Sequence, residues 1–140
     1  MGENHRIREL MTESPRTVSS DVTVVEAARV MRNDDFGLVP VVDGDRLVGT
    51  VTDRDIAIRV VAEERDPSST TVREIASADL VTIDPEQELG EALRLMAQHQ
   101  IRRLPVVEED GRLVGIVAQA DVARHGDDTQ TGQVVEQISK

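Results

Sequence analysis

The heptapeptide Gly49-Thr50-Val51-Thr52-Asp53-Arg54-Asp55 holds the residues of this chain best spaced for chemistry. A strand-like apolar run ends at Thr52 and a helical pattern starts near Asp53. The Thr52 hydroxyl would then stand beside unpaired backbone amides at the positive end of a helix, a setting that suits a phosphate. Asp55 follows one turn in, where a carboxylate can accept both hydroxyls of a ribose, as acidic residues do in dinucleotide folds. The spacing fits a nucleoside phosphate. It also fits a second reading, because Thr52-x-x-Asp55 is a capping box that stabilises a helix start with no ligand. A later copy, Gly115-Ile116-Val117-Ala118-Gln119-Ala120-Asp121, keeps the carboxylate as Asp121 and has Ala118 in place of the hydroxyl.

No other group competes. His5, His99 and His125 are far apart in sequence with no i, i+4 spacing, so no metal site is expected. Asp43-Gly44-Asp45 and Glu108-Glu109-Asp110-Gly111 lack the remaining ligands of a calcium loop and read as hairpin turns. There is no cysteine, no arguable Ser/His/Asp order and no carboxylate pair marked out as acid and base. The expectation is a protein that is not an enzyme.

The elements that must position these residues come from an internal repeat. Ile7-Arg8-Glu9-Leu10 aligns with Val72-Arg73-Glu74-Ile75, Thr17-Val18 with Thr82-Ile83, and Val39-Pro40-Val41-Val42 with Leu104-Pro105-Val106-Val107. After one inserted residue in the second turn, Leu47-Val48-Gly49 aligns with Leu113-Val114-Gly115. This divides the chain into a first repeat at 7–61, a polar connector at 62–71, a second repeat at 72–124 and a C-terminal tail at 125–140 with weak helical periodicity. Each repeat reads β-α-β-β-α. Val24, Ala27, Ala28 and Met31 form an i, i+3, i+4, i+7 stripe, as do Leu89, Ala92, Leu93 and Met96. Thr23 with Glu26 reads as a capping box for the first of these helices. Hairpin strands are expected at 38–42 and 47–52, again at 103–107 and 112–118, with second helices from Asp53 and Gln119. Pro15 and Pro85 would fix turns before the first helices. This is an α+β plan in which two repeats, packed sheet to sheet with pseudo-twofold symmetry, would close one core.

Composition narrows the function. Residue count is 140, enough for one compact domain, and the net charge of -11 opposes binding to nucleic acid or to anionic membranes. Phe36 is the sole aromatic residue, so stacking platforms for single strands are missing. The N-terminus lacks the apolar core of a signal peptide, and no apolar stretch has the length of a membrane span, so a cytoplasmic protein is expected. The segment Ile56-Ala57-Ile58-Arg59-Val60-Val61-Ala62 is apolar nearly all round. That implies a homodimer covering it, with Ile56 and Val60 on the covered face.

The tandem motif, the hydrophobic-Pro-hydrophobic strands and the Met-containing helices together resemble a pair of CBS domains. Within that family the chain is similar to the small stand-alone pairs of actinobacteria, the mycobacterial hypoxic-response type among them. The resemblance implies a regulatory, energy-sensing module that binds an adenine nucleotide such as AMP or ATP, or another adenosyl compound, with no cofactor and an unidentified protein partner. It implies Thr52 for the phosphate, Asp55 for the ribose, and Thr17, Val18, Leu38 and Val39 around the adenine. It further implies that Arg102 and Arg103 of one repeat reach the phosphate held by the other, where the alternative for them is an ion pair with Glu108, Glu109 or Asp110. The second cleft would keep Thr82, Ile83 and Asp121 and bind more weakly. The competing function is a constitutive dimeric interaction module with empty clefts.

Overall fold

The structure, a computed structural model, describes residues 5–125, without the His125 side chain. Residues 126–140 of the C-terminal tail lie outside the described residues. In chain order the elements are α1 (Ile7–Leu10), β1 (Thr12–Glu13), β2 (Val18–Ser19), α2 (Val24–Asp34), β3 (Leu38–Asp43), β4 (Arg46–Thr52) and α3 (Asp53–Ile56). A π turn at Ala57–Val61 prolongs α3, and α4 (Val72–Ile75), α5 (Leu89–His99), β5 (Arg103–Val107), β6 (Leu113–Ala118) and α6 (Gln119–His125) follow. The class is α+β. Among the described residues no helix is long and apolar enough to cross a membrane.

Packing divides the chain into two compact units, and each is staggered against the sequence repeats by one short helix. The first unit is Arg16–Leu80; the second joins the residues up to Pro15 to those from Val81 onward. Thus α4, which opens the second repeat in sequence, packs in the first unit, and α1 packs in the second. Their apolar faces show why. Val72 and Ile75 are buried in a core with Val18, Val24, Val39, Val41, Val51 and Val60, and Ile7 and Leu10 are buried with Met96, Leu104, Val117 and Val122. A two-residue apolar face on a four-residue helix has no stability of its own and forms only against such a core.

In the first unit the sheet order is β2-β3-β4, with β2 parallel and β4 antiparallel to β3. In the second it is β1-β6-β5, with β1 antiparallel to β6 at Thr12↔Ile116 and Glu13↔Gly115. Each unit also holds the missing counterpart as a single bridge. Ile83 pairs parallel with Val106, and Ser77 pairs antiparallel with Thr50. The hairpin turns stand as expected, with Gly44 and Gly111 at positive φ.

The Thr23–Glu26 capping box does not form. Thr23 is the N-cap of α2, yet its side chain makes no cap hydrogen bond. The Glu26 N–H instead donates to the backbone carbonyl of Thr23 at 3.0 Å, while the connector satisfies a different amide, the Val24 N–H donating to the Thr70 carbonyl at 2.9 Å and Thr23 bridging Thr71. The first-turn amides are thus satisfied by backbone carbonyls, one local and one from the connector, and not by the Thr23 side chain. Both long helices end in a left-handed residue, Asp35 and Gln100.

Candidate functional site

Leu38 opens β3 directly opposite Thr52, the last residue of β4, and Val39 pairs with Val51. The hairpin therefore brings Leu38 to the point where the chain turns into α3. The Val18 and Val39 side chains are buried in the core, so these residues have backbone groups rather than side chains to offer a ligand. Thr17 and Leu38 are half-buried at the same sheet.

At the start of α3 the capping box is closed. The Asp55 N–H donates to Thr52 Oγ1 at 3.0 Å, and the Thr52 N–H donates to Asp55 Oδ2 at 2.9 Å. This satisfies two orphan amides of the helix. It consumes only part of each side chain. Thr52 accepts through a lone pair and keeps its O–H to donate, and Asp55 Oδ1 stands 4.0 Å from Arg59 Nε, beyond hydrogen-bond reach. Arg59 is tethered elsewhere, donating from Nη1 to the Ile75 carbonyl at 3.1 Å. The box and a ligand are thus compatible uses of one pair of residues.

Two features of this mouth escaped the sequence reading. The Asp53 N–H donates to the Gly37 carbonyl at 3.0 Å. The Asp53 carboxylate then lies so near Gly37 that a Cβ there would meet Oδ2 at 3.1 Å. This places a negative charge at the start of α3. Its signal in the sequence was only the register of Gly37 against Asp53 across the hairpin end, which is fixed once pairing is known.

The second unit repeats the geometry with different groups. Arg103 opens β5 opposite Ala118, and the Gln119 N–H donates to the Arg102 carbonyl at 2.7 Å. Ile83 is buried and Thr82 half-buried beside the sheet. The Ala118 N–H donates to Asp121 Oδ2 at 3.0 Å, half of a capping box, and Arg124 Nη2 donates to Asp121 Oδ1 at 2.7 Å. Arg102 is exposed and makes no ion pair among the described residues. Glu108, one of its expected partners, is held by Arg112 and faces Arg8 at 3.7 Å. Asp110 Oδ1 accepts the Arg112 N–H at 3.0 Å. Thr52 and Asp55 belong to the first unit, Arg102 and Arg103 to the second. Among the described residues no three His, Asp or Glu side chains converge as metal ligands.

The family model for the CBS domain matches residues 7–62 and again 72–128. CBS domain-containing protein YhcV of Bacillus subtilis is 47% identical over 117 residues, 84% of this chain and 82% of that protein. Hypoxic response protein 1 of Mycobacterium tuberculosis is 42% identical over 119 residues, again 84% and 82%. A crystal structure of Hypoxic Response Protein I with two coordinated zinc ions superposes with a TM-score of 0.80 at 40% identity, over 88% of this chain and all (100%) of that one. The CBS domain pair of protein MJ0100, solved with 5′-methylthioadenosine and S-adenosyl-L-methionine, gives 0.76 at 27% identity over 87% and 95%. CBSX2 in complex with AMP gives 0.75 at 25% identity over 86% and 94%.

Proposed function

This chain belongs to the CBS-domain family as a tandem pair, and from that premise we propose that it is a non-catalytic regulatory module that binds an adenosyl ligand at Thr52 and Asp55. The observation that carries the reading is the closed capping box that, among the described residues, leaves the Thr52 O–H without a hydrogen-bond acceptor and Asp55 Oδ1 with only the long ion pair to Arg59. Support comes from two relatives of the same fold solved with AMP and with adenosyl compounds. The Thr52 hydroxyl donates to a phosphate oxygen and Asp55 accepts from the ribose. The Asp53 carboxylate makes a cation necessary for a phosphate held at Thr52, and Arg102 and Arg103 remain the candidates for that cation that the family resemblance implies. Response to AMP or ATP levels, the energy-sensing role, is part of this proposal.

The proposal extends to a homodimer, with a second copy covering the π turn. Ile58 and Val61 are 44% and 68% exposed there. Val61 lines a groove of about 400 Å³ with Val24, Val25, Ala28, Ile56 and Val60, edged by Arg29 and Arg32. The sequence reading placed Ile56 and Val60 on that face, but Val60 is only 1% exposed and Ile56 packs against the first unit's core. The π turn explains the difference, because five-residue hydrogen bonding shifts the helix face relative to a 3.6-residue count.

The test is thermal. A ligand that binds only the folded chain raises its stability by about 2.7 kcal/mol at a hundredfold excess over Kd, a rise of several degrees in melting temperature. AMP, ATP, NAD and S-adenosylmethionine are each added at millimolar concentration. At least one is expected to raise the transition in the native chain and to lose most of that effect in Asp55→Asn, which keeps a cap acceptor and removes the charge. No shift with any of the four favours the constitutive dimeric interaction module, for which a capping box complete without ligand is the supporting observation.

A further inference from the structure

Asp55 and Asp121 occupy the same place in their repeats, and each carboxylate is 15% exposed. Each gives Oδ2 to the backbone N–H three residues before it, Thr52 or Ala118. Their second oxygens differ. Among the described residues Oδ1 of Asp55 has only a long ion pair, to the tethered Arg59 at 4.0 Å, whereas Oδ1 of Asp121 accepts from Arg124 at 2.7 Å. At the position of Arg124 the first repeat has Ile58, which carries no donor. A vicinal diol delivers two hydrogens to one carboxylate and needs the oxygen that the cap does not use.

We propose that Arg124 is the specificity-determining residue of the second cleft, its guanidinium occupying the Asp121 oxygen that a ribose diol would take. The proposal rests on the reading of Asp55 as a ribose-binding carboxylate. Arg124 is 69% exposed, so its pairing with Asp121 is a solvent-screened one that biases the cleft and does not lock it. The two repeats therefore differ twice at one site: Ala118 removes a hydroxyl that Thr52 supplies, and Arg124 engages a carboxylate that Ile58 leaves open.

The experiment titrates the full chain with adenosine, which is uncharged and so reports ribose recognition free of phosphate attraction. In Asp55→Asn, which leaves only the second cleft, Arg124→Ile should strengthen adenosine binding by up to about fivefold, and Arg124→Ala should act in the same direction. Adding Ala118→Thr to Arg124→Ile should strengthen it further, and Asp121→Asn should abolish the gain. Unchanged binding in both Arg124 variants, or no detectable binding in the Asp55→Asn background with or without them, overturns the role of Arg124 while the Asp55 reading stands. Full native-level binding retained in Asp55→Asn with Asp121→Asn overturns the Asp55 reading itself, and the role of Arg124 with it.

Discussion

Gly49 and Gly115 open the two copies of the heptapeptide, and their reason is close approach of backbone. A Cβ on Gly115 would meet the Met11 sulfur at 2.6 Å and the Thr12 carbonyl oxygen at 2.9 Å; one on Gly49 would meet the Ser77 carbonyl oxygen at 3.0 Å. Both glycines admit the strand that follows the exchanged short helix, so their part in the motif is to seat that segment. Gly115→Ala should cost on the order of 1 to 3 kcal/mol in urea unfolding, because a backbone oxygen cannot yield as a side chain does. A cost indistinguishable from that of an exposed Gly90→Ala substitution would contradict this. Glu74 offers a pH signature at the same scale. Its carboxyl is held below the usual carboxylate range, first by the Thr71 N–H, then by the Thr71 hydroxyl and by Arg65. A depressed folded value means stability present above the unfolded value and lost as pH falls through the folded one. Glu74→Gln should therefore lower the melting temperature at neutral pH and leave it unchanged at a pH below both values. An equal loss at both pH values would assign the residue a role independent of charge. Thr52, Asp55 and Asp121 were legible as residues because spacing alone places them at helix starts. Arg124 was equally visible three residues after Asp121, but i, i+3 pairs are common on helices, and only the bond to the uncapped oxygen distinguishes this one.

At the scale of elements, both hairpins stand within a residue of their sequence-derived bounds, the second helices start at Asp53 and Gln119 as expected, and the stripe-bearing helices start at Val24 and Leu89 and run three residues beyond their stripes. Apolar periodicity and turn chemistry are local, and local patterns survive folding. What local patterns lack is the identity of the partner. The repeat at an offset of 65 aligned α1 with α4 but was silent on which sheet each would dock against, since two similar apolar faces suit two similar cores. The connector carbonyl that takes the Val24 amide and the π turn after α3 are hidden for the same reason. The π turn divides apolar residues of one segment into two populations with different expected behaviour. Val60→Ser should destabilise the first unit by roughly 2 to 4 kcal/mol. Ile58→Ser with Val61→Ser should leave the melting temperature of the isolated protomer nearly unchanged and shift the native assembly to monomer in light scattering. A native chain already monomeric at micromolar concentration, or a double variant as oligomeric as the native chain, would remove the dimer from the account.

At the scale of the whole molecule, two sequence-level facts frame the ligand question. A net charge of -11 means that phosphate can be held only where cations are concentrated, which makes Arg103 sensitive to replacement. Asp55→Ala with Arg103→Ala should together weaken binding by on the order of 2 to 5 kcal/mol. The chain also contains no Trp and no Tyr and a single Phe, so it is nearly transparent where adenine absorbs. Equilibrium dialysis against AMP, read directly by absorbance near 260 nm, therefore measures bound nucleotide with almost no protein background. The account predicts saturable uptake approaching one adenylate per chain at the stronger cleft and loss of that uptake in the Asp55→Ala, Arg103→Ala variant. Uptake that is identical in the native chain and the variant, or absent from both at millimolar AMP, ATP, NAD and S-adenosylmethionine alike, would contradict it.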